Sequence, residues 1–307
     1  MTKDLKLQAP ASGERGLVLG GGGSLGNAWV LGVIAGLSAA GLDVTNADLI
    51  IGTSAGSTAA AQITATTPTK LYANILSAAP SERPAGPLRS GAGRAPIGSA
   101  ENHMERTAAI IAASKDPADM RRRMGAAALE MDETSDGSWQ AQRRAVVASR
   151  LPSQHWPQQK VQVVAVDAHT GEPVVFDRNS GVDLADAIAA STSSGPAFGI
   201  GDNRYIDGGY RRNENADLAS GYARVLVLSP LGGRTRHPLE WGSQLAAQVD
   251  ELRSHGSRVE SILPDSNSLD VFGGNMMDFS RYQPAARAGY DQGKALADKL
   301  NEFWNRS

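Results

Sequence analysis

Apolar residues in this chain gather in short unbroken runs, each closed by glycine or serine and followed by a longer stretch with helical spacing. Leu17, Val18 and Leu19 form the first run and predict a strand over 15–20; four glycines follow, and an amphipathic stretch over 27–40 reads as a helix. Leu49, Ile50 and Ile51 form the second run, which ends at Gly52, and the alanine-rich segment 55–64 suits another helix. A strand–turn–helix unit that repeats in this way predicts a parallel sheet with crossover helices. Strands covered on both faces read as continuous apolar runs instead of alternating ones, which is the pattern here.

Sheet signals return at 161–166 and, across a turn at Gly171, at 174–176. A helix over 184–191 ends in the loop-forming Thr192-Ser193-Ser194-Gly195-Pro196, and a short strand over 204–206 then delivers Asp207. The rest reads as a buried strand at 225–228, a helix at 239–255, a strand at 259–263 and a closing helix at 284–304. Between the two halves, 77–96 is rich in Pro, Gly, Arg and Ser and predicts a mobile surface loop. The stretches 101–114, 117–132 and 138–150 have helical spacing but many charges, so about 77–150 reads as a variable helical cap. Arg121, Arg122 and Arg123 read as part of its solvated face, in preference to a specific anion or headgroup site. The expected architecture is one α/β domain over 1–307, three-layer α/β/α with a mostly parallel central sheet.

Composition then narrows the chemistry. The 307 residues include no cysteine, which removes disulfides, thiol catalysis and cysteine-ligated metals. A net charge of -2 gives no electrostatic reason to expect nucleic acid. No signal-peptide core precedes the first strand, and nowhere do about 18 apolar residues run together. The expectation is a soluble, cytoplasmic protein. No calcium loop of the D-x-D-x-D-G kind is present, and neither a metal nor a cofactor is called for.

Gly52-Thr53-Ser54-Ala55-Gly56 fits G-x-S-x-G, the pattern in which a serine sits on a sharp strand-to-helix turn. Small flanking residues are needed there because the backbone is strained and neighbouring chains approach closely. A plain helix cap is the competing reading of Ser54. Gly21, Gly22 and Gly23, in Gly21-Gly22-Gly23-Ser24-Leu25-Gly26, can point consecutive N–H groups into one concavity, as a tetrahedral oxyanion requires. The same run matches G-x-G-x-x-G, so a nucleotide-binding module is an alternative; but the second strand ends in Gly52-Thr53-Ser54 where a ribose-binding acid is expected. Of the five histidines, only His237 and His255 follow both Ser54 and Asp207, and both read as surface residues. If histidine is not the base for a nucleophilic serine, a carboxylate must be.

The glycine run, the Ser54 block and Asp207-Gly208-Gly209 together resemble the three signature blocks of the patatin-like phospholipase family. The stretches 166–172 and 190–196 resemble two further elements of it, and the likeness spans about 15–228. The resemblance implies a serine–aspartate dyad without histidine. Ser54 would be the nucleophile, Asp207 the base and the Gly21, Gly22 and Gly23 backbone the oxyanion hole, with Ser24, Gly26, Gly52, Gly56, Gly208 and Gly209 in support. It also implies a lipid ester substrate met at a membrane or micelle surface; a small-ester carboxylesterase with the same dyad is an alternative. Leu25 departs from the family pattern, which usually has a basic residue there. A free aspartate is a weak base near neutral pH, so the site is expected to raise the proton affinity of Asp207 by partial burial.

Overall fold

The computed structural model describes residues 11–78, 100–135 and 137–305. In chain order the elements are β1 (Ala11–Leu19), α1 (Gly23–Ala39), β2 (Leu49–Thr53), α2 (Ala55–Ala65), α3 (Pro68–Ser77), α4 (Ala100–Ala113), α5 (Pro117–Glu133) and α6 (Ser138–Ser149). They continue with β3 (Val161–Asp167), β4 (Pro173–Phe176), α7 (Leu184–Ser191), β5 (Phe198–Ile200), β6 (Asn203–Asp207), β7 (Tyr222–Leu228), α8 (Leu245–Ser254), β8 (Arg258–Ile262), α9 (Ser266–Phe272) and α10 (Tyr282–Asn305). Among the described residues eight strands join one sheet in the order β5-β6-β3-β2-β1-β7-β8, with β4 also paired to β3. The five strands β3-β2-β1-β7-β8 are mutually parallel, and β4, β5 and β6 add antiparallel pairings at one end.

Side chains alternate across that sheet, and both faces are covered. Leu17, Leu19, Ile50, Leu226 and Leu228 pack with α1, α2 and α10, while Val18, Leu49, Ile51, Val225 and Val227 pack with Leu245, Val249 and Leu252 of α8. That double burial is why the runs at Leu17–Leu19, 49–51 and 225–228 are apolar at every position. A third cluster sets Met120, Met124 and Ala128 of α5 on Val166 and Ile206. α1 is buried almost all round, because it lies against α10 at a distance only glycine allows. A methyl group on Gly32 or Gly36 would come within 2.1 Å of an α10 carbonyl oxygen.

The expected strands all appear, and the differences lie in the helices. α1 starts at Gly23, four residues before the expected 27, because Gly22 and Gly23 form its N-terminus. The helix expected over 239–255 is broken. A single 3-10 turn at Leu239–Trp241 ends at left-handed Gly242, φ 63°, and α8 begins at Leu245. α3 and α9 had not been anticipated, nor had the three-residue β5. The loop expected over 77–96 lies almost wholly outside the described residues. Among the described residues no helix is long and apolar enough to cross a membrane.

One register fixes the geometry that matters. β2 pairs with Val161–Val164 of β3, and β6 pairs with the next three residues, 165–167, so that Thr53 lies opposite Val164 and Asp207 opposite Ala165. The end of β2 and the end of β6 are thereby brought to neighbouring points on the same strand.

Candidate active site

Ser54 is the single residue between β2 and α2, and it holds φ 51° and ψ -120°, a region non-glycine residues avoid. Holding a serine there costs of order 1–3 kcal/mol, which the packing around it must offset. Gly56 and Gly52 permit that packing. A methyl group on Gly56 would stand 1.9 Å from the Leu19 carbonyl oxygen, and one on Gly52 would stand 2.5 Å from Ser57 Cα. Ser57 closes the turn by donating its hydroxyl to the Ser54 carbonyl oxygen at 2.6 Å. The Ser54 hydroxyl is left at the N-terminus of α2, where the unsatisfied amides favour negative charge.

That hydroxyl donates to Asp207 Oδ2 at 2.7 Å, and the Gly209 amide donates to Asp207 Oδ1 at 2.8 Å. Gly208 lets this corner lie on β3, since a methyl group there would meet the Val164 carbonyl oxygen at 2.2 Å. Asp207 is 8% exposed. Burial pushes its carboxyl up to about 6, against the opposing pull of the Gly209 amide, the Ser54 hydroxyl and the Arg143 guanidinium. The end of α7 and the loop after it brace both residues: Ser191 Oγ accepts from the Ser54 amide at 2.9 Å, and the Ser193 carbonyl accepts from the Asp207 amide at 2.8 Å.

The glycine turn lies against the serine; a methyl group on Gly21 would sit 3.4 Å from Ser54 Cβ. Here the structure corrects the sequence reading. The Gly21 amide donates to the Asn213 carbonyl at 3.0 Å, so it is not free for a substrate, whereas the Gly22 and Gly23 amides have no acceptor among the described residues. Gly23 takes φ 60°, and Gly22 and Gly26 pack on Pro230. The Leu25 amide donates to the Met276 carbonyl at 3.0 Å, and Ser24 faces Met277 Sδ at 3.9 Å. The turn therefore presents two consecutive free amides and not three.

A family model described as patatin-like phospholipase matches residues 17–220, more than half of the chain. The chain belongs to that family. No curated protein matches it. Among solved structures, VipD from Legionella pneumophila is 15% identical, with 97% of this chain and 72% of VipD covered at a TM-score of 0.45. The type III effector ExoU is also 15% identical, with 95% of this chain covered at a TM-score of 0.38; the match takes in 54% of ExoU, about half its length.

In this patatin-like chain the position of the usual basic residue, Leu25, is wholly buried in the core, with no exposure at all. A guanidinium reaches the site from elsewhere: Arg143 of α6 donates through Nη2 to the Thr192 carbonyl, one residue from Ser191. The sequence reading missed Arg143, because nothing in a polar helix signals which arginine turns inward. It also missed Asn213 and Asn215. Asn215 Nδ2 reaches Thr53 Oγ1 at 3.0 Å, the Gly208 carbonyl at 3.3 Å and the Arg212 carbonyl at 2.7 Å, tying the ends of β2 and β6 together. Buried Glu214 accepts from Asn213 Nδ2 at 2.9 Å and Ser229 Oγ at 2.7 Å, which holds the loop whose Asn213 carbonyl receives the Gly21 amide.

Among the described residues no histidine hydrogen-bonds to Ser54, whose hydroxyl bonds to Asp207. His237 and His255 are half-buried rather than surface residues, and burial with Arg236 and Arg121 nearby pushes His237 down to about 4. The arginine triplet has local partners: Arg121 Nε donates to the Gly171 carbonyl at 2.6 Å, and Arg122 and Arg123 pair with Asp119 at 3.8 and 3.0 Å.

Proposed function

We infer that this chain is a serine acyl hydrolase that cleaves lipid esters, with Ser54 as nucleophile and Asp207 as its base. The observation that supports this most is the 2.7 Å hydrogen bond from Ser54 Oγ to Asp207 Oδ2. It joins a serine on a strained turn to a carboxylate whose proton affinity lies near the working range of a general base. Asp207 takes the hydroxyl proton as Ser54 Oγ adds to the ester carbonyl, and the amides of Gly22 and Gly23, with the N-terminus of α2, receive the oxyanion. The departing alcohol recovers the proton from Asp207. Water, deprotonated by the same carboxylate, then cleaves the acyl–serine bond and releases the fatty acid, with the proton returned to Ser54. The substrate is met at a membrane or micelle surface.

The test is hydrolysis of micellar lipid esters across pH. kcat/KM should rise through an acidic limb near pH 6, the pH at which Asp207 ionises. Ser54→Ala should fall to background, and Asp207→Asn should lose about 10²–10⁴ in rate together with that limb. Full activity in Asp207→Asn would remove the proposal.

A further inference from the structure

α6 carries two guanidiniums that no carboxylate contacts directly among the described residues. Arg143 and Arg150, the residue that ends the helix, are seven positions apart, two turns or about 10 Å along the axis, and so lie on one face. Neither forms an ion pair among the described residues, and the Nε atom of each is buried without a hydrogen-bond partner. Their neighbour Arg144 behaves in the opposite way: exposed to solvent, it pairs with Asp186 at 2.7 Å and Asp183 at 3.1 Å. Carboxylates thus pair directly with the arginine that water already solvates and not with the two that are desolvated.

Both inward guanidiniums have their proton affinity lowered by burial, and Arg150 lowers that of Arg143 further, so the two charges feel each other. Among the described residues, Asp207 is the acid that acts on Arg143, and Tyr282 is the acidic group that acts on Arg150. Arg150 is steadied by the Phe279 ring, 6.0 Å from its guanidinium carbon, and Arg143 by the Thr192 carbonyl next to the loop that holds Ser54. Two desolvated like charges on one helix face are unfavourable unless an anion offsets both, and Asp207 acts on Arg143 but not on Arg150. Arginine is suited to phosphoryl oxygens, which its planar fork meets two at a time.

We propose that Arg143 and Arg150 form a subsite for the phosphodiester group of a lipid substrate, placed beside Ser54 so that the enzyme prefers phosphodiester-bearing lipids to neutral ones. This rests on the acyl hydrolase reading given above and adds what selects the substrate. The subsite lies on α6, not on the glycine turn, where Leu25 excludes a charge.

The experiment compares kcat/KM on diacylglycerophosphocholine and on diacylglycerol in the same mixed micelles, for the wild type, Arg150→Gln, Arg143→Gln and the double variant. Labelling of Ser54 by a fluorophosphonate reports separately on the nucleophile, and thermal melting reports on folding. The preference for the phosphodiester lipid should fall about tenfold for each arginine removed, chiefly through KM. In the wild type, inorganic phosphate and glycerophosphocholine should both slow phosphodiester lipid hydrolysis more than neutral lipid hydrolysis, and the double variant should lose this difference. Equal wild-type kcat/KM on the two lipids, or an unchanged ratio in folded variants, would overturn the subsite. So would inhibition by inorganic phosphate without any lipid preference, which marks a site for free anions only. Failure of Ser54 to label in the wild type would overturn the hydrolase reading itself, a distinct outcome.

Discussion

At the scale of single residues, the candidate site places a carboxylate where burial opposes its charge. Asp207 has its proton affinity raised to about 6 because burial outweighs the two hydrogen bonds and the arginine that favour its ionised form. The consequence for stability has a definite sign. The folded chain holds this proton more tightly than the unfolded chain does, so the contribution of Asp207 is intact below about pH 4 and is lost as pH rises through about 6. At pH 8 the full penalty applies, on the order of 3 kcal/mol. Asp207→Asn keeps an acceptor for the Gly209 amide and removes the charge. Thermal melting should therefore find the variant more stable than the wild type at pH 8, by about 1–3 kcal/mol, with the gap closing toward pH 4. A variant destabilised at both pH values would show that burial of the charge is not what raises the proton affinity.

At the scale of elements, the ends of β2 and β6 meet because both pair with consecutive stretches of β3, and the Asn215 side chain links Thr53 to Gly208 across that junction. Gly56 is what lets α2 descend so close to the end of β1, since a methyl group would stand 1.9 Å from the Leu19 carbonyl oxygen. Gly56→Ala should cost several kcal/mol in chemical denaturation, at the upper end of overpacking effects, and should lose activity with it. An unchanged midpoint would mean that α2 can move away freely. Much of this architecture could be read directly from the chain. The runs at Leu17–Leu19, 49–51 and 225–228 are apolar throughout because both sheet faces are covered, and the serine and aspartate blocks stand where strands end. What could not be read depends on contacts between distant segments. No local pattern says that the Gly21 amide turns to Asn213, that Arg143 faces inward while Arg144 faces water, or that α1 and α10 touch through glycines. Gly242 broke an otherwise acceptable helical stretch at 239–255, and three residues are too few for β5 to show an alternation.

At the scale of the whole molecule, the chain belongs to the patatin-like phospholipase family, and three distant chain segments meet at one point. Parallel strands β1, β2 and β7 all end at one edge of the sheet, where Gly20 donates to the Leu228 carbonyl at 3.0 Å and draws the glycine turn toward Ser54. The single claim on which the functional account depends is that Ser54 is an activated nucleophile. Its most direct test is the mass of the intact protein after exposure to a fluorophosphonate. One adduct is predicted, mapping to the peptide that contains Ser54, absent in Ser54→Ala and formed far more slowly in Asp207→Asn. No adduct on the folded protein, an adduct on another residue, or equal labelling rates with and without the Asp207 carboxylate would contradict it.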